Sequence, residues 1–234
     1  MLFNTMQRVI HSTYRARIYA HPFNQALYNG TLPIHSFYNF LEQDKPYLNQ
    51  FSKSLLCLAK RVTHIQHRHM LMQLSHYILN TEAKMHDKYL LANNPMTFFS
   101  RVKYNNTPNK VVTAYLWHIH RATEIESIPV AIASLIPCFY IYSSLGLYMQ
   151  QQGVDPNNIY RHWIESYSNP SFLTATQSII TILNELTAHG IDNVHSSHIM
   201  NVFIKSVLFE IALWDSVCHK IPCIHPHQPD FKFN

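Results

Sequence analysis

The sequence predicts an all-α protein, one helical bundle of about eight helices, and three observations carry that expectation. Apolar residues recur at steps of three, four and seven along most of the chain, which is the stripe a helix turns toward a core, and period-two alternation is nearly absent. Only four glycines occur in 234 residues, and proline and asparagine punctuate the long stretches instead. No composition shift marks a linker, so residues 1–234 read as one domain with 221–234 as an exposed tail. A 47% hydrophobic fraction is that of a folded chain with a buried core, not of a disordered one.

Each element follows from local signals. MLFNTMQRVIHSTYRARIYAH lacks the continuous apolar run of an export signal and reads as a first helix. HPFNQALYNGTLP holds a short segment and a turn, and a long helix then runs over about 34–60. Pro46 lies inside it, where the missing N–H leaves the Glu42 carbonyl without its partner and the ring crowds that carbonyl, so a bend is expected there. A third helix is expected over about 64–91 with Thr63 as its cap, followed by a loop and a helix from about Val111. Pro129 ends that helix and starts an uncharged one over 128–149, long enough on paper to span a bilayer. Pro129, Pro137, the Ser143-Ser144 pair and the polar tips of Cys138, Tyr140, Tyr142 and Tyr148 predict a buried central helix instead, with no membrane partner. Asp155-Pro156 is expected to open a short helix holding IYRHWIESY, Asn169-Pro170 the next, closed by Gly190, and the last helix runs over about 192–220.

Charge and cysteine usage exclude several functions. The net charge of +5 comes from Lys and Arg scattered along the chain, without the localised stripe that phosphate recognition needs, so nucleic acid is not an expected partner. Cys57, Cys138, Cys218 and Cys223 show neither CxxC spacing nor the density of a disulfide scaffold, which fits a reducing, cytoplasmic setting.

Two helices place an acid where an apolar residue belongs. Asp44 falls on the stripe Phe37, Phe40, Leu41, Leu48, Phe51 and Leu55, with Tyr47 one turn later. Glu210 falls on the stripe Ile199, Phe203, Ser206, Val207, Leu213, Trp214 and Val217. In the uncharged helix Cys138 and Tyr142 share a face. A carboxylate taken out of water is costly unless it is paired or protonated. Two acids and a thiol on inward faces can converge on one pocket, where a carboxylate accepts from ligand amino groups, a carboxyl of raised pKa donates a proton, and a thiolate attacks an electron-poor carbon. That division of labour suits an amino-substituted heteroaromatic ring. Equally, Asp44 and Glu210 can each pair with a nearby Arg, Lys or Tyr and tie helices together.

HPFNQALYNGTLP, FLEQDKPYLNQF, AYLWHIHRA, LIPCFYIYSSLG, IYRHWIESY and FEIALWDSV, in that order from His21 to Val217, resemble the TenA (thiaminase II) family. The resemblance implies a heme-oxygenase-like helical bundle, a homotetramer, and salvage of the thiamin pyrimidine without metal or organic cofactor. It implies that Cys138 is the nucleophile, that Glu210 handles protons, that Asp44 holds the aminopyrimidine, and that Tyr47, Tyr115, Tyr142 and Tyr167 stack on or hydrogen-bond the ring and the cysteine. The implied reaction is hydrolysis of a 4-amino-5-aminomethyl-2-methylpyrimidine to the 5-hydroxymethyl compound, with thiamin a poorer substrate. The chain departs from the family pattern at Pro46 and at Ile211-Ala212-Leu213, which stand where larger aromatic or amide residues are expected. Two alternatives stay open: an oxidase of the same fold, either di-iron or cofactorless, and a non-catalytic pyrimidine binder. Glu82-x-x-x-His86 offers two ligand types on one helix face, but a di-iron site needs about six inward ligands, so these two are expected to bond each other or a neighbouring helix.

Overall fold

Side-chain caps set where four of the ten described α-helices begin in the computed structural model, which describes residues 1–82, 84–85 and 107–218. Helices α1 (Leu2–Val9) and α2 (Arg15–Tyr19) are joined by a π-helical turn over Ile10–Tyr14, so the first helix is one rod with a local bulge. The His21 ring accepts from Phe23 N–H at 3.1 Å and starts α3 (Pro22–Tyr28), and Gly30, at φ +69°, turns the chain toward α4 (Ile34–Arg61). Pro46 sits within α4 without ending it, on the partly exposed side away from Asp44 and Tyr47. Helix α5 (Ile65–Tyr77) continues into a second π-helical turn over Ile78–Glu82. Its cap position is His64, which bends the backbone one residue later than Thr63, so Thr63 does not cap it.

Asn109, Asn169 and Asp192 each accept a backbone N–H three residues on, from Val112, Phe172 and His195 at 2.8–2.9 Å. They open α6 (Lys110–Ile125), α9 (Pro170–Leu186) and α10 (Asn193–Val217). Between them α7 (Ile128–Gln152) carries Pro129 in its first turn, and α8 (Arg161–Ser168) is short. Two expected boundaries move. Asp155 accepts from Asn157 N–H at 2.8 Å and closes a turn, and Asn158 then accepts from Tyr160 N–H, so α8 starts only at Arg161. Helix α9 ends at Leu186, before Gly190, because the Thr187 hydroxyl bonds back to the Leu183 carbonyl; Gly190 turns the chain afterwards at φ +86°. The end of the third expected helix, most of the following loop, His86, Cys223 and the 221–234 tail lie outside the described residues.

Helix α7 is the central element: α6, α8, α9 and α10 all pack against it. It and α10 are both long and apolar enough to cross a membrane, but the most apolar window of α7 is 89% buried by the rest of the protein and that of α10 39%. Burial on every side explains why α7 shows no polar stripe, whereas α4, packed on one face, does. Ser52 and Ser75 share a buried 2.8 Å hydrogen bond that locks α4 to α5. The consequence for the site is that α4, α6, α8 and α10 present their inner faces to one length of α7 or to one another.

Candidate active site

Asp44, Tyr47, Tyr115, Cys138, Tyr142, Tyr167 and Glu210 are all buried, none more than 5% exposed. The α4 stripe turns Asp44 and Tyr47 inward together with Phe37, Phe40, Leu41, Leu48, Phe51 and Leu55, and the α10 stripe does the same for Glu210. Pro46 therefore has not rotated Asp44 out of the interior. Ile211 and Leu213 are buried beside Glu210.

Two aromatic walls face the thiol. On one, the Tyr47 and Tyr115 rings lie 5.0 Å apart, and Tyr115 Oη donates to Glu210 Oε1 at 2.8 Å. On the other, the Tyr142 and Tyr167 rings lie 5.0 Å apart, Trp163 and Trp214 stand edge-on to Tyr142 at 6.1 and 6.0 Å, and Tyr167 Oη donates to Glu82 Oε1 at 2.9 Å. Tyr47 Oη faces the Cys138 sulfur and Tyr115, and Tyr142 Oη faces Glu210 and the Trp214 indole, yet neither hydroxyl completes a well-formed hydrogen bond. Nε1 of Trp163 and of Trp214 and Oε2 of Glu82 are likewise buried and unsatisfied. Buried polar atoms are normally paired, so a cluster of orphans marks where a ligand's own polar atoms belong.

The acids raise one another. Burial pushes the Glu210 carboxyl up to about 8 against the hydrogen bond from Tyr115, with Glu82 adding to the rise. Burial pushes Glu82 up to about 7 against the hydrogen bond from Tyr167. Asp44 is held well above the usual carboxylate range by burial, then by Glu82 and Glu210. Burial and then the nearby Glu210, Glu82 and Asp44 hold the Cys138 thiol well above its ordinary value, opposed by the Tyr47 hydroxyl. Among the described residues no three His, Cys, Asp or Glu side chains are gathered as a metal would need, so the acids ring the thiol rather than meet at a point. Such a site can surround a planar ring, hydrogen-bond its edge, and pass protons to and from a bond beside the sulfur.

Glu82 and the two tryptophans were not singled out as site residues in the sequence. For Glu82 the signal was present: it continues the buried α5 series His67, Leu71, Leu74, Ser75 and Ile78, so it is a third acid on an apolar stripe. It bonds a neighbouring helix, α8, through Tyr167.

A family model described as TENA/THI-4/PQQC matches residues 10–220. The chain belongs to that family. A relative named thiamine biosynthesis multifunctional protein ThiED, from Corynebacterium efficiens, is 27% identical over 158 residues, 68% of this chain and 20% of that protein. The chain thus spans about one fifth of the length of the first such relatives. An aminopyrimidine aminohydrolase of Bacillus subtilis strain 168 is 23% identical over 86% of this chain and 84% of its own. The solved TenA homologue from P. horikoshii OT3 superposes with a TM-score of 0.79 at 22% identity, over 93% of this chain and 98% of that one. A TenA homologue from Pyrococcus furiosus superposes at 0.81 and 16% identity, over 93% of this chain and 100% of that one. These likenesses establish the TenA fold, the heme-oxygenase-like helical architecture, for the chain.

Proposed function

We propose that this TenA-family protein is an aminopyrimidine aminohydrolase of the thiaminase II type, converting 4-amino-5-aminomethyl-2-methylpyrimidine to its 5-hydroxymethyl counterpart in thiamin salvage, with thiamin a poorer substrate. The observation that carries the reading is one buried thiol, Cys138, ringed by the carboxyls of Asp44, Glu82 and Glu210 and by two aromatic walls. The relatives named aminopyrimidine aminohydrolase support it, since the match to them runs over most of both chains.

The Tyr47–Tyr115 and Tyr142–Tyr167 pairs offer faces on which a pyrimidine stacks, while Asp44 accepts from its ring amino group. Cys138 sulfur bonds to a ring carbon, giving its proton to an ionised acid at the site, and the electron pair moves into the ring nitrogens. The exocyclic C–N bond then breaks as Glu210 delivers its proton to the departing amine. Water adds to the resulting methylene and returns a proton to Glu210, and expulsion of the thiolate restores the aromatic ring. Glu210, pushed up to about 8, has a proton to give near neutrality.

Incubation with the aminomethyl pyrimidine, following ammonia release, and with thiamin, following thiazole release, tests the assignment. Cys138→Ser is expected to lower turnover by about a thousandfold or more, and Glu210→Gln by about a hundredfold or more. Asp44→Asn is expected to act mainly on KM, raising it about ten- to a hundredfold through a lost charge-assisted hydrogen bond. Near-normal deamination by Cys138→Ser would refute the covalent scheme. The family resemblance also implies a cytoplasmic homotetramer, whose mass light scattering measures.

A further inference from the structure

Glu82 has no structural reason to be ionisable. It is 6% exposed, its Oε1 accepts from Tyr167, and its Oε2 is buried without a hydrogen bond. An acid in that position costs several kcal/mol unless a partner or a proton neutralises it, and a glutamine or methionine would fill the space without that cost. The backbone that carries it is a π-helical turn, Ile78–Glu82, a local irregularity that recurs at functional sites. Glu82 is also the carboxyl that acts on every other reactive group here: on Asp44, on Cys138 and on Glu210. The charged groups that act on Cys138 and Glu210 are all acids, so a ligand that brings a positive charge is favoured beside them.

We infer that Glu82 is the ammonium-binding residue of the pocket, taking the cationic aminomethyl group of the substrate on Oε2 while Tyr167 holds Oε1, and so selects aminomethyl pyrimidines over neutral hydroxymethyl ones. This rests on the aminohydrolase reading, with Asp44 on the ring amino group and Glu210 on proton transfer. Oε2 is the buried carboxylate oxygen left open once Tyr167 has taken its neighbour. The amine that leaves is the group Glu82 holds: the bound ammonium departs as ammonia, which takes up the Glu210 proton once the C–N bond has broken and leaves Glu210 free to accept the proton of the incoming water, and loss of the charge as the hydroxyl product forms weakens the grip and favours release. Tyr167, on α8, offers its ring face to the pyrimidine and, through its hydroxyl, also fixes the plane of the Glu82 carboxyl.

The test uses protein carrying Cys138→Ser, in which turnover is stopped, with and without Glu82→Gln, titrated with the 5-aminomethyl and the 5-hydroxymethyl pyrimidine. The expected result is a ten- to hundredfold loss of affinity for the aminomethyl compound in the Glu82→Gln protein, and a change within about threefold for the hydroxymethyl compound. Equal weakening of both, or of neither, overturns the assignment and leaves the aminohydrolase reading standing. If neither compound binds the Cys138→Ser protein, that reading fails and takes the Glu82 assignment with it. Should the Glu82→Gln protein not fold, the Cys138→Ser protein carries the test alone. With Asp44 and Glu210 facing the same ligand, the preference for the aminomethyl compound is then expected to rise between pH 5.5 and 8 as Glu82, pushed up to about 7, ionises, and a flat preference over that interval overturns it.

Discussion

With its carboxyl pushed up to about 8 by burial, Glu210 keeps its proton in the folded protein over a range of pH in which the unfolded chain, with its ordinary value of 4.5, has lost it. The folded state therefore binds the extra proton, and stability falls as pH rises from 4.5 through 8. The contribution is intact below the unfolded value and gone above the folded one. Glu82, pushed up to about 7, acts in the same direction over a narrower interval. The combined cost at pH 8 is on the order of a few kcal/mol in the unliganded protein. Glu210→Gln removes one titrating group, so its melting midpoint at pH 8 should exceed the parent's by several degrees, at about 2–4 °C per kcal/mol, while the two converge at pH 5; thermal melts at both values check this. Under the proposed mechanism, activity and stability pull on this residue in opposite directions. Asp44 and Glu210 were legible in the sequence because each interrupts a one-sided apolar stripe. Glu82 carried the same signature but was read with His86 as a pair on one helix. Cys138 and Tyr142 lie on a helix buried all round, where periodicity distinguishes no face; their four-residue spacing put them on one side and the thiol's chemistry suggested a nucleophile, and the resemblance pointed to the same residue.

Helix α8 is placed against α7 by a glycine. A Cβ added at Gly146 would stand 2.9 Å from the Tyr167 carbonyl carbon and 3.0 Å from Ser168 N, both backbone atoms that cannot swing aside. The close approach is what brings Tyr167 and Trp163 over Tyr142, at 5.0 and 6.1 Å between rings. Gly146→Ala should push α8 outward, costing about 1–3 kcal/mol and loosening the Tyr167 contact to Glu82. Its melting midpoint should drop and its KM for the aminomethyl pyrimidine rise, whereas an unchanged KM beside a lowered midpoint would show that α8 can shift without disturbing the ligand. Local chemistry made some helix ends legible and not others. Asn169 and Asp192 cap as their residue types suggest, since each stands one residue before a helical stretch. Asp155 instead spends its carboxylate on a turn, and the chain needs five more residues to bring Trp163 and Tyr167 into register with α7. The π-helical turns left no mark in composition, because what selects them is packing between helices and not local propensity.

The proposed site residues run from Asp44 to Glu210 and come from α4, the π turn after α5, α6, α7, α8 and α10, so no pair of neighbouring helices contains them all. Helix α7 lies between the others, and the buried residues of every described helix join one apolar cluster. Removing α6, α8, α9 or α10 exposes α7, which is the physical basis for expecting one cooperative unit. The helical class was legible for the same reason: stripes on outer helices and an all-apolar inner helix are what a bundle around one central rod requires. Calorimetry of the unliganded protein should show a single transition whose van't Hoff and calorimetric enthalpies agree. Because a pyrimidine held between α4, α7, α8 and α10 binds only when all are in place, the hydroxymethyl product at one hundred times its Kd should stabilise that whole transition by about 2.7 kcal/mol. Two transitions, with the ligand moving only one of them, would mean that part of the bundle unfolds independently of the pocket. A single transition that the ligand leaves unmoved would place pyrimidine binding outside the cluster that Asp44, Cys138 and Glu210 form.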